Sequence, residues 1–447
     1  MAANSTDELQ LWQTVSPVEF KPKLASSNDE QALLISVRQG DGFPIAGGQI
    51  SHAIAARATH MLLDCSAQAT QIRYQIDGTW EQLPPLDRES GDGMLYAIKQ
   101  LCQMNPADRR SAQKGQVQVK VGKQKFGLLV QSQGVSSGER VIFRFEPEEL
   151  PFSKLADLGM RDKMVEQFKQ CLNSGGTTVL ISASKGEGLT TLWNVSINAA
   201  DRLIRDFQSF EPEETPEPEI INISPNLFGG NTGKTELELV NRMILREPDV
   251  LMFPNPPQPE SLEACLQQVQ AADRQVIHRL VADNAMTALL TFMGRYPACQ
   301  SMIAATIGGV VHGRLVRRLC DNCKVGFEPP PALLKQLGIP AGRVPMLYQP
   351  FVAPPIEQQV DENGRPAPIE PCQVCEGRGY FGRIGLYELL RPGDQFRDAL
   401  TKTQDGGQLA AIAKAEGHRT LQAEAVLTLA RGLTSLDELK RIFAKRS

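Results

Sequence analysis

Four cysteines fall in two Cys-x-x-Cys pairs, Cys320/Cys323 and Cys372/Cys375, a spacing at which a tight turn presents two thiolates to one ion. Two such knuckles make a tetrahedral zinc set, and the long segment between them is no obstacle because the metal closes it. With all four positions taken by sulfur, the Zn2+ keeps no open site and its role is structural. Reduced, unligated thiols are the plain alternative. The second knuckle, from Cys372 to Gly379, also matches a chaperone-type zinc repeat, a weak signal when it stands singly. Of the nine cysteines the other five, Cys65, Cys102, Cys171, Cys265 and Cys299, stand alone and read as small buried apolar side chains.

A second constellation is Ser182-Ala183-Ser184-Lys185-Gly186-Glu187-Gly188-Leu189-Thr190-Thr191. Residues 177–181 before it are β-branched and apolar enough for a buried parallel strand. Residues 190–204 after it carry Leu192, Val195, Ala199, Ala200 and Leu203 at helical spacing. Strand, glycine turn and helix are the setting of a GxxxxGK[ST] loop, which wraps phosphates in backbone N–H groups, adds a lysine ammonium and offers a hydroxyl to Mg2+. Gly186, Gly188, Thr190 and Thr191 supply part of that cradle and mark a weakened site for ATP and Mg2+. Ala183 stands for the first glycine and Leu189 for the lysine. Losing a charge-assisted hydrogen bond costs about 1.5 to 3 kcal/mol. Lys185 either reaches in from the loop or is an ordinary solvated lysine. A further loop, Gly229-Gly230-Asn231-Thr232-Gly233-Lys234-Thr235, contains Gly-Lys-Thr but is one residue short and reads as a glycine-rich connection. Asn255 follows an apolar strand at 250–253, where a hydrolytic enzyme carries an acid that binds Mg2+ or orients water.

The elements that must position these groups divide the 447 residues into four stretches. Residues 1–45 are polar and irregular, with a Ser26-Ser27-Asn28-Asp29-Glu30 run, and are expected to form a flexible arm. Residues 46–150 read as an α+β domain: a helix over 50–61, then strands at 71–76, 117–121 and 140–145. Beyond a hinge at 147–151, residues 151–319 alternate strands and helices, the pattern of a parallel α/β sheet, with later strands at 219–223, 250–253 and 275–280. An acidic, proline-rich insert at 210–218 reads as a solvated loop. Residues 320–447 hold the cysteine pairs, a proline-rich segment at 329–371 and a helical end over 394–445.

With 47 basic and 51 acidic residues the net charge is −4, which gives no electrostatic footprint for nucleic acid. No apolar run of about 18 residues and no secretory signal are present, so the chain is expected to be cytoplasmic, without a membrane span, and its cysteines to be thiols or ligands rather than disulfides.

Two longer motifs, Ile307-Gly308-Gly309-Val310-Val311-His312-Gly313-Arg314-Leu315-Val316-Arg317-Arg318-Leu319-Cys320 and Gly379-Tyr380-Phe381-Gly382-Arg383-Ile384-Gly385-Leu386-Tyr387-Glu388-Leu389-Leu390, resemble the type II secretion and type IV pilus assembly ATPase family. Residues 244–250, 417–421, 73–78 and 138–141 extend the resemblance over about residues 50–445. It implies a RecA-like P-loop motor domain over 151–319, a smaller PAS-like N-terminal domain, a four-cysteine zinc element and hexameric rings on the cytoplasmic side of an inner-membrane secretion or pilus platform. Carried over by position, the family's P-loop lysine falls on Leu189, its acidic pair near Ile223 and Ser224, its catalytic glutamate on Asn255 and its histidine near Val281, while first-domain arginines that reach the nucleotide fall on Arg73 and Arg140. The reading that results is a non-hydrolysing structural or regulatory subunit. It would assemble with itself or in a mixed hexamer with an active paralogue and hold a platform protein. An atypical but active ATPase using Lys185 or the second glycine loop is the alternative.

Overall fold

The alternation at 71–76, 117–121 and 140–145 becomes part of one antiparallel sheet in a computed structural model that describes residues 10–148, 152–340, 342–355, 359 and 367–444. The chain divides into two compact units, Met1–Pro151 and Phe152–Ser447. The first unit runs β1 (Glu19–Lys21), α1 (Ser27–Arg38), α2 (Gly42–Ala55), β2 (Ala58–Ser66), β3 (Ala69–Ile76), β4 (Thr79–Asp87), α3 (Arg88–Leu101), β5 (Gln113–Val121), β6 (Gln124–Val135) and β7 (Gly138–Pro147). Its strand order is β1-β5-β6-β7-β2-β3-β4. Helices α2 and α3 bury Ile50, Ala53, Met94, Leu95 and Ile98 in the same core as the inward residues Met61, Leu63, Tyr74, Val130 and Phe143.

Two expectations fail here for local reasons. The described part of the supposed flexible arm is ordered: β1 pairs with β5, with Val18 and Phe20 buried, and the Ser26 hydroxyl accepts the Asp29 N–H to cap α1. The polar run 26–30 is thus a helix start rather than disorder, as side-chain oxygens at an N-cap require. The helix expected over 50–61 belongs to α2, which ends at Ala55, and His60 and Met61 lie in β2. Residues 1–9 of the arm, part of the hinge at 147–151 and part of the proline-rich segment 329–371 lie outside the described residues.

The second unit opens with α4 (Asp162–Leu172), β8 (Thr177–Ala183), α5 (Leu189–Ala199), β9 (Phe207–Pro212), β10 (Ile223–Phe228), α6 (Glu236–Ile244), β11 (Val250–Phe253), α7 (Pro259–Ala272), β12 (Gln275–Val281), α8 (Ala285–Arg295), α9 (Gln300–Thr306) and β13 (Ile307–Leu319). It continues with β14 (Val325–Phe327), α10 (Pro331–Gln336), β15 (Leu347–Gln349), β16 (Tyr380–Leu390), α11 (Asp394–Lys402), α12 (Gly406–Ala415), α13 (Leu421–Ala430) and α14 (Leu436–Phe443). The main sheet has the order β10-β9-β11-β12-β8-β13-β16, parallel except for the last pair. β8 is fully interior, which explains its unbroken apolar run: Val179, Leu180 and Ile181 are all buried.

The acidic insert departs most from expectation. Its first residues form β9, between β10 and β11, and the strand expected at 219–223 is absent, β10 beginning only at Ile223. Phe207 and Phe210 are buried on β9, so tertiary packing overrides the polar, proline-flanked local sequence.

Three buried carboxylates fasten the C-terminal segments. Glu388 on β16 accepts the Ala285 N–H at the start of α8 and, at 2.7 Å, the Leu421 N–H at the start of α13. Glu438 on α14 takes the Arg317 N–H and guanidinium at 3.0 and 2.9 Å and the Arg441 guanidinium at 2.6 and 2.8 Å. Glu424 on α13 is gripped by both arms of Arg161 at 2.7 and 2.5 Å. Each satisfies orphan helix N–H groups or a partly buried cation.

Candidate functional site

The C-terminal ends of parallel strands, where helix N-termini also gather, form the ligand-binding edge of an open α/β sheet. At β8 this edge is the loop 184–188. Gly186 and Gly188 have φ of 76° and 85°, in the left-handed region that glycine tolerates. The Glu187 N–H closes a turn on the Ser184 carbonyl at 3.0 Å, and Leu192 N–H on the Gly188 carbonyl starts α5. The loop therefore delivers a helix N-terminus with Leu189 as its first residue, Thr190 exposed and Thr191 half-buried. Ser184 is buried and its Oγ has no hydrogen-bond partner, so one polar group of the loop stands unanswered. Lys185 is exposed, and the Glu187 carboxylate turns to β13, accepting the Leu315 N–H at 3.2 Å. These donors suit a phosphate only in part: N–H groups and hydroxyls are present, and the residue at the lysine position is aliphatic.

The rest of the edge carries groups that the chain has already engaged. Beyond β12, Asn284 caps α8 by accepting the Thr287 N–H at 2.7 Å, while Val281 is exposed. His278 is fully buried; its Nδ1 donates to the Phe253 carbonyl at 2.7 Å, and burial pushes its pKa down to about 4. His312, hydrogen-bonded to Ser182 at 3.1 Å, is likewise held at about 4 by burial. Both are neutral at physiological pH.

Ile223 and Ser224 lie at the start of β10, the opposite end of the sheet from the loop, so the acidic-pair position is not there. An acid does stand at the proper end of a neighbouring strand: Glu211, near the end of β9. Its carboxylate accepts the Ser209 hydroxyl at 2.5 Å and the Glu217 N–H at 2.8 Å. Sequence reasoning missed it because the insert looked like loop. Missed too was Arg279 on β12, which donates from Nε to the Pro254 carbonyl at 2.7 Å and forks onto Glu217 at 2.9 and 2.5 Å.

The second glycine loop, Gly229 to Thr235, follows the edge strand β10, four strands from β8. The Asn231 and Thr232 N–H groups donate to the Glu213 carboxylate at 2.6 and 3.2 Å. Thr235 and Glu238 form a reciprocal capping box at the start of α6. The loop's N–H groups are thus occupied by an internal carboxylate.

The four paired cysteines converge where β13 ends and β16 is about to begin. Their Sγ atoms all lie within 4.8 Å of one another, with Cys320–Cys372 at 3.9 Å and Cys323–Cys375 at 3.6 Å. Metal–sulfur bonds of about 2.3 Å in a tetrahedron put the sulfurs about 3.8 Å apart, so the donor set fits zinc. Asn322 Nδ2 and the Gly379 N–H donate to the Cys372 and Cys375 sulfurs at 3.2 and 3.3 Å. The Cys372 thiol is drawn down to about 6, first by the Cys375 N–H and then by Asn322. The five solitary cysteines are all buried.

In the first unit, Arg73 and Arg140 converge on one carboxylate, Asp64, at 2.5 and 2.6 Å. Burial tends to raise the Asp64 pKa, but hydrogen bonds and charge from Arg140 and Arg73 outweigh it and hold the carboxyl below its ordinary range. Asp64 gave no signal in the sequence beyond its place on an alternating strand.

The profile of the Type II/IV secretion system protein family matches residues 45–441. Over 393 residues the chain is 24% identical to the type IV pilus assembly ATPase PilB of Thermus thermophilus, covering 87% of this chain but only 42% of that protein. It is 22% identical over 395 residues to the type II secretion system protein E of Pseudomonas aeruginosa, covering 88% and 74%. The structure of the Yersinia pseudotuberculosis ATPase DotB shares the fold, with a TM-score of 0.56 at 14% identity over 89% of this chain and 92% of that one. Among the described residues no helix is long and apolar enough to cross a membrane.

Proposed function

The chain belongs to the type II/IV secretion system protein family, and from that membership we propose that it is a non-hydrolysing structural or regulatory subunit of a type II secretion or type IV pilus assembly machine. The observation that carries this is the state of the sheet edge: Leu189 leads α5, Asn255 follows β11, His278 and His312 are buried and neutral, and Glu211, the acid near the end of β9, already holds two donors. Phosphoryl transfer depends on a cation at the lysine position and an acid that orients water; those two positions hold Leu189 and Asn255, and Arg279 at this edge is already paired with Glu217. Gly186, Gly188, Thr190 and Thr191 retain enough N–H and hydroxyl groups to take a nucleotide weakly, as a ligand rather than fuel.

The cysteines Cys320, Cys323, Cys372 and Cys375 would hold one structural zinc, tying the ends of β13 and β16. The family's partners follow as part of the same reading. The subunit assembles with itself or with an active paralogue in a ring, works in the cytoplasm, and meets an inner-membrane platform protein. An active ATPase remains the competing reading, and Glu211 near the end of β9 is the observation in its favour.

Purified protein assayed with ATP and Mg2+ is expected to show no turnover above background. Turnover at about 1 per second or faster, the range of working enzymes, and lost in Thr190→Ala, would overturn the reading. Light scattering at micromolar concentration and capture from native lysate test the assembly. A strict monomer that recovers neither a paralogue nor a platform protein would remove its support.

A further inference from the structure

The acidic segment between β9 and β10 returns to the sheet at two points. Glu213 fills the second glycine loop, and Glu217 fills the fork of Arg279. The second contact lies close to the candidate nucleotide loop. Arg279 stands in register with Ile181 of β8, two residues before that strand ends at Ala183. Its Nε is fixed on the Pro254 carbonyl just past β11, and its guanidinium carbon lies 5.5 Å from the ring centroid of Trp193, on the helix that the loop 184–188 leads into. The strand end and α5 thus hold the guanidinium in place independently of Glu217, and its two terminal nitrogens face the carboxylate. Arg279 and Glu217 side chains are each only 14% exposed.

A preorganised guanidinium fork reads carboxylate and phosphate with the same bidentate geometry. Near the C-terminal edge of a parallel sheet it stands where oxyanions bind. Its present occupant comes from a stretch, residues 213–222, that forms no helix or strand, with Pro216 and Pro218 on either side of Glu217. We propose that Arg279 is a phosphate-binding group for a polyphosphate ligand seated on the loop 184–188, and that Glu217 occupies it as a tethered internal anion. This deepens the reading of nucleotide as a ligand and rests on it. The tethered carboxylate competes at a high effective concentration, so an incoming phosphate must displace it. Displacement releases Glu217 and the stretch around it, while Glu213 stays on the second glycine loop, and gives the ligand a conformational effect beyond its own contacts.

The test compares native protein, Glu217→Gln, Glu217→Gln/Arg279→Gln and the charge-swapped Glu217→Arg/Arg279→Glu. Each is titrated with a non-hydrolysable ATP analogue and, separately, with inorganic tripolyphosphate. Glu217→Gln is expected to bind at least about tenfold more tightly than native protein, the range that one displaced charge-assisted pair makes available. The double glutamine variant loses that gain, and the charge-swapped protein keeps the native melting temperature without gaining affinity. A gain for both ligands assigns recognition to the phosphate chain, a gain for the ATP analogue alone adds the nucleoside, and both support the proposal. No gain in a Glu217→Gln protein that melts like the native one overturns it, as does a gain that survives loss of Arg279. If Glu217→Gln melts early, Glu217→Asp, which keeps the charge but shortens its reach, supplies the same readout, and unchanged affinity there overturns the proposal. Hydrolysis is recorded in parallel: turnover by native protein overturns the non-hydrolysing reading alone, and an unchanged affinity overturns the Arg279 assignment alone.

Discussion

Four sulfurs converge on one point beyond the end of β13, helped by N–H donors that favour thiolate. Along the C-terminal edge of the parallel strands of the same sheet, the acids and the arginine face partners that the chain supplies: Glu211 with Ser209, Glu213 with a backbone loop, Glu217 with Arg279. The two regions differ in what completes them. A converging set of thiolates suits an external ion, whereas carboxylates that meet donors from the same chain need none. Ligand dependence should therefore be steep at the cysteines and shallow at the sheet edge.

The largest effect that can break this contrast is metal removal. Ligation of a structural four-cysteine zinc contributes on the order of 10 kcal/mol to its local unit. Cys375→Ser or strong chelation should release about one zinc per chain, the number one four-thiolate site takes, and open the 320–380 region to protease. A folded, protease-resistant protein purified without chelator and holding under about a tenth of that amount, against the single ion a four-thiolate set binds, would end the assignment.

Next in size is Glu438→Ala, which leaves Arg317 without its buried counter-ion three residues before Cys320. Removing one partner of a buried pair costs about 3 to 5 kcal/mol, so the melting temperature should fall even with zinc bound. An unchanged melting curve would mean that the metal alone secures this end. The same residue sets a pH dependence. Burial raises the Glu438 pKa, but hydrogen bonds and charges from Arg441 and Arg317 prevail and hold it below its ordinary range. The stability it contributes is complete above the unfolded value of about 4.3 and is lost as pH falls through the lower folded value. Acid titration of Glu438→Gln should show a shallower loss in that window than native protein.

A smaller effect is expected from Leu189→Lys. The restored ammonium should tighten nucleotide binding by about 1.5 to 3 kcal/mol without restoring turnover, because Asn255 still stands after β11. Hydrolysis in that single variant would show that the sheet edge lacks only one charge. Smallest is Glu213→Gln, which swaps a charged acceptor for a neutral one at the second glycine loop and should cost about 1 kcal/mol. Amide exchange at Asn231 and Thr232 should then quicken by roughly fivefold, the equivalent of that energy; unaltered exchange would show that the carboxylate does not close this loop.

What the sequence revealed follows how local each signal is. The Cys-x-x-Cys spacings and the strand, glycine turn and helix that begin at Thr177 are short-range patterns, and both stand in the structure, except that the helix expected to reach 204 stops at Ala199 and leaves Leu203 and Ile204 exposed. β9 was hidden because its place in the sheet is held by Phe207 and Phe210 packing into cores built by distant helices, while Glu211 and Pro212 read as loop. Arg279 and Glu217 are separated by 62 positions, and no periodicity links them. The ordered segment 17–38 was misread because two buried residues, Val18 and Phe20, sit among charges that a single edge strand leaves in solvent.

The route of β13 through the sheet also fixes a timetable for making the protein. Its first half pairs with β8, but the flank that β16 covers stays bare until Tyr380 to Leu390 emerge from the ribosome. That delay of about 60 residues lasts roughly 3 to 12 s at ordinary synthesis rates of about 5 to 20 residues per second. During it the nascent chain presents a 13-residue strand whose β16-facing edge is open, the form most prone to pairing with a foreign strand. Cys372 and Cys375 leave the tunnel just ahead of β16. A zinc ion captured at that moment would anchor the incoming strand beside its partner and shorten the hazardous interval, so metal starvation should show first as aggregation of newly made chains.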